Sequence, residues 1–168
     1  TDQYEMTWEA QRVSGQDFLA GVTFPIGSEF CSFIAGGWGG GLVGISSIDG
    51  HDASENETAK YVEFKNNQWY RFRIRVDSQR LQAWIDDQQM INVPREGNRF
   101  TTRIEVRRSQ PLGYCVFQSK VQVRDWKFRS LDSSNDSSAT EVESSHISDP
   151  PEFIRIVRNE DDDATALQ

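Results

Sequence analysis

The sequence predicts an all-β domain, a sandwich or barrel, followed by an acidic extension. Three observations carry this reading. Apolar residues recur with period two in one segment after another, no window sustains a helical period, and turn-forming residues break the chain roughly every 8–12 residues. The aromatic residues mark the domain: of 10 Phe, 5 Trp and 4 Tyr, only Phe153 lies beyond residue 131.

The elements follow in order. Tyr4, Met6, Trp8 and Ala10 alternate with Glu5, Thr7, Glu9 and Gln11, the pattern of a strand with one buried face. Phe18 to Phe24 and Phe30 to Ala35 are denser in apolar residues and suit interior strands. Leu42–Ile48, Tyr61–Phe64, Leu81–Ile85, Met90–Val93, Arg103–Arg107, Tyr114–Gln118 and Val121–Phe128 are further expected strands. The clearest is Tyr70, Phe72, Ile74 and Val76, alternating with Arg71, Arg73, Arg75 and Asp77. Ser14-Gly15, Pro25-Ile26-Gly27, Asn66-Asn67, Asp77-Ser78, Asp86-Asp87, Glu96-Gly97-Asn98 and Pro111-Leu112-Gly113 supply turns between them. Beyond the domain, residues 132–168 read as an acidic, Ser-rich and disordered tail, with Ser130 to Ser148 as a linker. Within it, Phe153 to Arg158 is a strand-like island that fits the start of a truncated second domain.

Charge divides at the same boundary. The 168 residues carry 26 Asp+Glu against 18 Lys+Arg, a net −8. Residues 132–163 hold ten carboxylates, with Arg155 and Arg158 as the only bases there, so the whole surplus lies in the tail. A neutral domain with an acidic tail is a poor polyanion ligand, which argues against nucleic acid. The uncharged stretch Phe30 to Ile48 has the length of a membrane span, but six glycines and three serines make it a poor apolar helix, and no membrane span is expected. No signal peptide is visible, and the chain opens at Thr1 within a strand pattern, as an excerpt or a processed product would.

Few catalytic motifs are present. The chain has no G-x-S-x-G, H-E-x-x-H, P-loop or paired C-x-x-C, and His51 and His146 are far apart, which disfavours a zinc site or a Ser-His triad. Cys31 and Cys115 form either a bridge or a pair of buried thiols. Gly36-Gly37-Trp38-Gly39-Gly40-Gly41 lacks the following helix of a phosphate loop. It reads as a turn whose backbone approaches a neighbour closely while displaying one indole. Trp38 is then either a platform for a sugar ring or a residue folded onto the core. Asp49, His51, Asp52, Glu55, Asn56 and Glu57 crowd one loop, where Asp49, Asp52 and Glu55 are candidate calcium ligands. Asp52 and Glu55 also have capping-box spacing, so a solvated turn is the alternative. Arg71, Arg73 and Arg75 share a strand face, either as an ionic ladder with Glu63, Asp86 and Glu105 or as a surface gripping hydroxyls and carboxylates.

A resemblance extends these readings. Trp8-Glu9-Ala10, Asp17 to Pro25, Gly36 to Gly40, Gly44 to Gly50, Asn56-Glu57-Thr58 and Trp69-Tyr70-Arg71 resemble a group common in planctomycete-type bacteria. That group is similar to concanavalin A-like (laminin G-type) jelly rolls and neighbours the 3-keto-disaccharide hydrolase family. The hairpin Trp69 to Val76 with Leu81 to Asp86, and the final strand Val121 to Phe128, look like those of the same superfamily. The resemblance covers residues 1–131 and implies a two-sheet antiparallel sandwich, a concanavalin A-like jelly roll. The sequence departs from the hydrolase pattern at Leu19-Ala20-Gly21, Phe24-Pro25 and Phe30 to Phe33, where Asn-Ser-Gly, Arg and Glu are usual. The E-x-D-x-x-E strand of sandwich glycosidases is absent as well.

The expected function is therefore a carbohydrate-directed binding module, with Trp38, Asp49, His51, Asp52, Asn56, Arg71 and Arg73 contacting an oligo- or polysaccharide. The alternative is a glycoside hydrolase acting on 3-keto-disaccharides or related sugars, using Glu9 and a carboxylate of the Asp49–Glu57 loop. A protein-docking module beside a neighbouring domain is the third class. The expected location is extracytoplasmic: periplasmic, secreted or at the cell surface.

Overall fold

The computed structural model describes residues 3–131 and the backbone of residues 155–157. Eleven strands are present among them: β1 (Tyr4–Gly15), β2 (Ala20–Ile26), β3 (Glu29–Gly36), β4 (Leu42–Ser46), β5 (Lys60–Tyr61), β6 (Tyr70–Val76), β7 (Arg80–Ile85), β8 (Gln88–Pro94), β9 (Gly113–Cys115), β10 (Ser119–Ser130) and β11 (Arg155–Val157). They form two sheets, a five-stranded one in the order β10-β1-β6-β7-β8 and a six-stranded one in the order β11-β9-β2-β3-β4-β5. The pairs are antiparallel except β11 with β9. Of the sandwich and the barrel that the alternation allows, the chain adopts the all-β sandwich.

Alternation decides which side chains meet between the sheets. Tyr4, Met6, Trp8 and Ala10 of β1 and Tyr70, Phe72, Ile74 and Val76 of β6 are buried, opposite Val22, Phe24, Phe33 and Ile45 of the other sheet. Trp8 stacks on Phe72 at 5.2 Å and on Trp126 at 4.9 Å, which ties three adjacent strands through one indole. The Tyr4 hydroxyl donates to the Pro25 carbonyl at 2.6 Å, a polar link between the sheets.

The structure corrects two local expectations and decides a third question that the residues left open. Residues 103–107 do not form a strand; Ile104–Ser109 is a 3₁₀ helix, with Glu105 in its first turn and Arg107 and Arg108 in its last. That charge order suits a helical dipole, and Ile104 is exposed, so no buried face holds an extended chain there. The Tyr61–Phe64 strand shrinks to Lys60–Tyr61, because Phe64 turns into the core and its carbonyl accepts from Arg12. Cys31 and Cys115 are free thiols: Cys31 packs in the core opposite Phe24, whereas Cys115 lies beside Gly21 on the other face of the sheet. Burial pushes the Cys115 thiol up to about 11 and Cys31 higher still.

The linker and acidic run of the tail fall almost wholly outside the described residues. Within the strand-like island, Arg155–Val157 lies along β9 as a parallel edge strand, Ile156 opposite Tyr114. The Gly-rich stretch Phe30 to Ile48 forms β3, a turn and β4, and among the described residues no helix is long and apolar enough to cross a membrane.

Candidate functional site

The turn Gly37–Gly40 connects β3 to β4 in a tight left-handed path. Trp38 has φ 49° and ψ 54°, and Gly39 and Gly40 have φ 89° and 106°. A non-glycine residue held at positive φ is costly and persists only where its surroundings impose it. Here the Gly39 N–H donates to Asp17 Oδ2 at 3.2 Å, and a Cβ on Gly40 would lie 2.3 Å from the Gln16 carbonyl oxygen. The turn is thus pressed against the β1–β2 loop, and its indole points outward. Trp38 is 42% exposed and stacks on Phe18 at 5.9 Å, while Phe18 meets Phe117 edge-on at 6.3 Å, with Phe117 40% exposed. The result is a small aromatic surface at one rim of the sandwich.

An open groove of about 540 Å³ borders the same turn, lined by Arg12, Gln16, Gly39, Gly40, Glu63, Lys65 and Asn66 among others. Arg12 is only 6% exposed. Its guanidinium donates to Asn66 Oδ1 at 2.6 Å, to the Asp17 carbonyl at 2.9 Å and to the Phe64 carbonyl at 2.8 Å. These bonds fasten the β1–β2 loop and the segment after β5 to one side chain. Sequence reasoning missed Arg12, Phe18 and Phe117. Arg12 continues the inward parity of Tyr4 to Ala10, so its burial was readable, but the partners belong to distant segments.

The outer face of the five-stranded sheet carries the other expected groups. Glu9 faces outward and pairs with Arg124 at 2.7 Å, whose guanidinium lies 3.9 Å from the Trp69 ring centroid. Arg71 pairs with Asp87 at 2.8 Å and Arg75 with Asp77 at 3.4 Å, so the ionic ladder exists with different partners from Glu63 and Glu105. Asp86 does reach the ladder, accepting the Arg71 backbone N–H at 2.9 Å. Arg73 lies over Trp84, 3.9 Å from the ring centroid.

The acidic loop sits on the opposite sheet. Asn56 donates to the Ile45, His51 and Asp52 carbonyls and accepts from the Thr58 N–H and hydroxyl, while the Thr58 hydroxyl also accepts from the Ile45 N–H. The loop is thereby pinned to β4. Asp49 accepts the Arg99 N–H at 2.8 Å; Asp52 accepts from the Ser46 hydroxyl at 2.5 Å and pairs with Arg103, which also binds Glu105. The N–H groups of Glu55 and Asn56 return to the Asp52 carbonyl, a single turn. His51 and Asp49 are exposed. Among the described residues no group of three His, Cys, Asp or Glu converges as metal ligands would. Glu9 and this loop belong to different sheets, with Glu9 on the outer face of its own, so the structure does not bring together the two carboxylates of the hydrolase alternative.

Two carboxyl groups have perturbed acidity. The hydrogen bond from Arg103 holds Glu105 below the usual carboxylate range. Partial burial pushes Asp77 up, but hydrogen bonds from the Gln79 and Arg80 N–H groups and from Arg75 outweigh it and hold it low. Both shifts are opposite to what a general acid at neutral pH needs.

Comparison with known proteins places the chain among sugar-related domains. A solved structure of a candidate glycosyl hydrolase from Parabacteroides distasonis ATCC 8503 is similar at 10% identity and a TM-score of 0.45, covering 78% of this chain and 73% of that one. No curated protein matches the chain. Residues 4–131 match the family described as the 3-keto-alpha-glucoside-1,2-lyase-like domain, and the chain belongs to that family.

Proposed function

We propose that the domain is a carbohydrate-binding module whose contact surface is the aromatic rim around Trp38 and the adjoining groove. The observation that supports this best is the outward indole of Trp38, held in a left-handed turn and backed by Phe18. A flat apolar ring suits the C–H face of a pyranose, and the groove supplies Gln16, Glu63, Lys65 and Asn66 for hydroxyl groups beside it. Membership of a sugar-directed family makes a glycan the natural ligand. Asp49, His51, Asp52 and Asn56 act in this reading mainly through the loop that they brace on β4.

Trp38→Ala should weaken binding to immobilised oligosaccharides by about fivefold or more, taking as a guide the roughly 1–3 kcal/mol that an aromatic side chain contributes when a nucleobase stacks on it. Its thermal midpoint should stay close to that of the parent, because the indole is on the rim. Unchanged glycan binding by a folded Trp38→Ala protein would refute the platform, and Phe117→Ala provides a second variant should the first fail to fold. The family description favours one further reading, an enzyme acting on 3-keto-glucosides. Cleavage of a 3-keto-disaccharide by the purified chain would establish it; the arginine-paired carboxylates argue for binding without turnover.

A further inference from the structure

The outer face of the five-stranded sheet presents six arginines from three strands, and five of them are matched, Arg80 of β7 by Asn92. Arg71 pairs with Asp87, Arg75 with Asp77, Arg124 with Glu9 and Arg129 with Glu5. Arg73 is the exception. It sits on β6, the middle strand of five, with Thr7 opposite on one side and Trp84 on the other. Its guanidinium rests on the Trp84 ring at 3.9 Å, and among the described residues that is its sole partner. Lys127 lies opposite Thr7 on β10, in the same cross-strand row. Two strand spacings separate it from Arg73, about 10 Å.

We propose that this row is a second binding site, specific for a carboxylate, and that it takes a uronate-type sugar with Arg73 as the anchor. Stacking on Trp84 fixes the plane of the guanidinium and leaves its edge of N–H donors free, the geometry that receives a carboxylate through two parallel hydrogen bonds. Arg71 and Arg75, two positions away along the strand, are neutralised by Asp87 and Asp77, and Glu9 and Glu5 opposite them on β1 by Arg124 and Arg129, so the unbalanced charge of this row is that of Arg73 and Lys127. The Thr7 hydroxyl stands between Arg73 and Lys127, where it can meet a sugar hydroxyl, and Lys127 faces a second acidic group one sugar or two away. Residues 1–131 as a whole have no surplus positive charge, so the site suits a short acidic oligosaccharide better than a long polyanion. The sugar part of this assignment rests on the carbohydrate reading above; the carboxylate part rests on Arg73 alone.

The experiment is a calorimetric or NMR titration of the full chain with trigalacturonate and with neutral galactotriose. Wild type should bind trigalacturonate with an affinity that falls as salt rises. Arg73→Gln should lose at least tenfold, and Arg73→Lys should fail to restore it, because an ammonium lacks the planar fork. Arg108→Gln, the same charge change on the 3₁₀ helix, should leave it unaltered, as should Trp38→Ala. No trigalacturonate binding, an Arg73→Gln protein that binds like wild type, or an equal loss in Arg108→Gln would each overturn the site. Loss of galactotriose binding in Trp38→Ala tests the rim separately, so failure of one reading is distinguishable from failure of the other.

Discussion

Arg12 shows how one side chain can determine local architecture. A guanidinium inside the protein has lost most of its hydration, so its position requires good acceptors. It has three, a side-chain amide oxygen and two carbonyls, drawn from two segments that meet nowhere else through β pairing. Arg12→Met keeps much of the aliphatic stem but leaves those acceptors without their donor. Unsatisfied buried polar groups cost about 1–3 kcal/mol each when solvent cannot reach them. We expect Arg12→Met to lower unfolding stability by about 2–4 kcal/mol in urea titration, a partial sum because the groove admits some water. A loss below about 0.5 kcal/mol would show that water replaces the guanidinium.

At the scale of the element, β6 is the strand on which both faces of the sheet depend. Its even-numbered residues, Tyr70, Phe72, Ile74 and Val76, are buried between the sheets, and its Arg71 and Arg75 form the outer ladder. A shift of one residue in register would reverse every one of these assignments, which is why the alternation specifies the strand so strongly. Ile74 is fully buried, opposite Met6 on β1 and Ala83 on β7. Ile74→Ala should cost roughly 2–5 kcal/mol in equilibrium denaturation, the usual range for truncating a core isoleucine. A cost under half a kcal/mol would mean that the inner face is elsewhere. The 3₁₀ helix at Ile104–Ser109 teaches the opposite lesson: five residues with one clear apolar alternation do not secure a strand when no buried face receives them.

For the whole molecule, the domain and its tail are separable on energetic grounds. Among the described residues the core cluster draws on residues 4–126, and those of the tail form one three-residue edge strand, β11, at the sheet border. An isolated short strand adds little, since ordering each residue costs roughly 1–2 kcal/mol of backbone entropy against a few ladder hydrogen bonds. Removing residues 132–168 should therefore move the thermal midpoint by no more than a few degrees in differential scanning calorimetry. Amide exchange at Gly113–Cys115 should accelerate in the shortened protein, because β11 covers that edge. A fall of ten degrees or more would show that the tail is an integral part of the sandwich.

The two faces of β1 and β6, the hairpin turns and the neutral domain with its acidic tail were legible in the residues themselves, because period-two alternation and turn chemistry are local. The outward display of Trp38 was not, since a run of glycines around one indole also suits a residue folded onto the core, and only its 42% exposure decides between the two. What else tertiary structure alone decided was adjacency. That Asp87 and Asp77 reach the arginine ladder while Glu105 serves Arg103, that Cys31 and Cys115 occupy opposite faces of one sheet, and that Glu9 stands on a different sheet from the Asp49–Glu57 loop all depend on which strands neighbour which. Alternation fixes the side to which a residue points, but strand order is settled by the packing of the whole core, and a site made of side chains from several strands is fixed only when that order is.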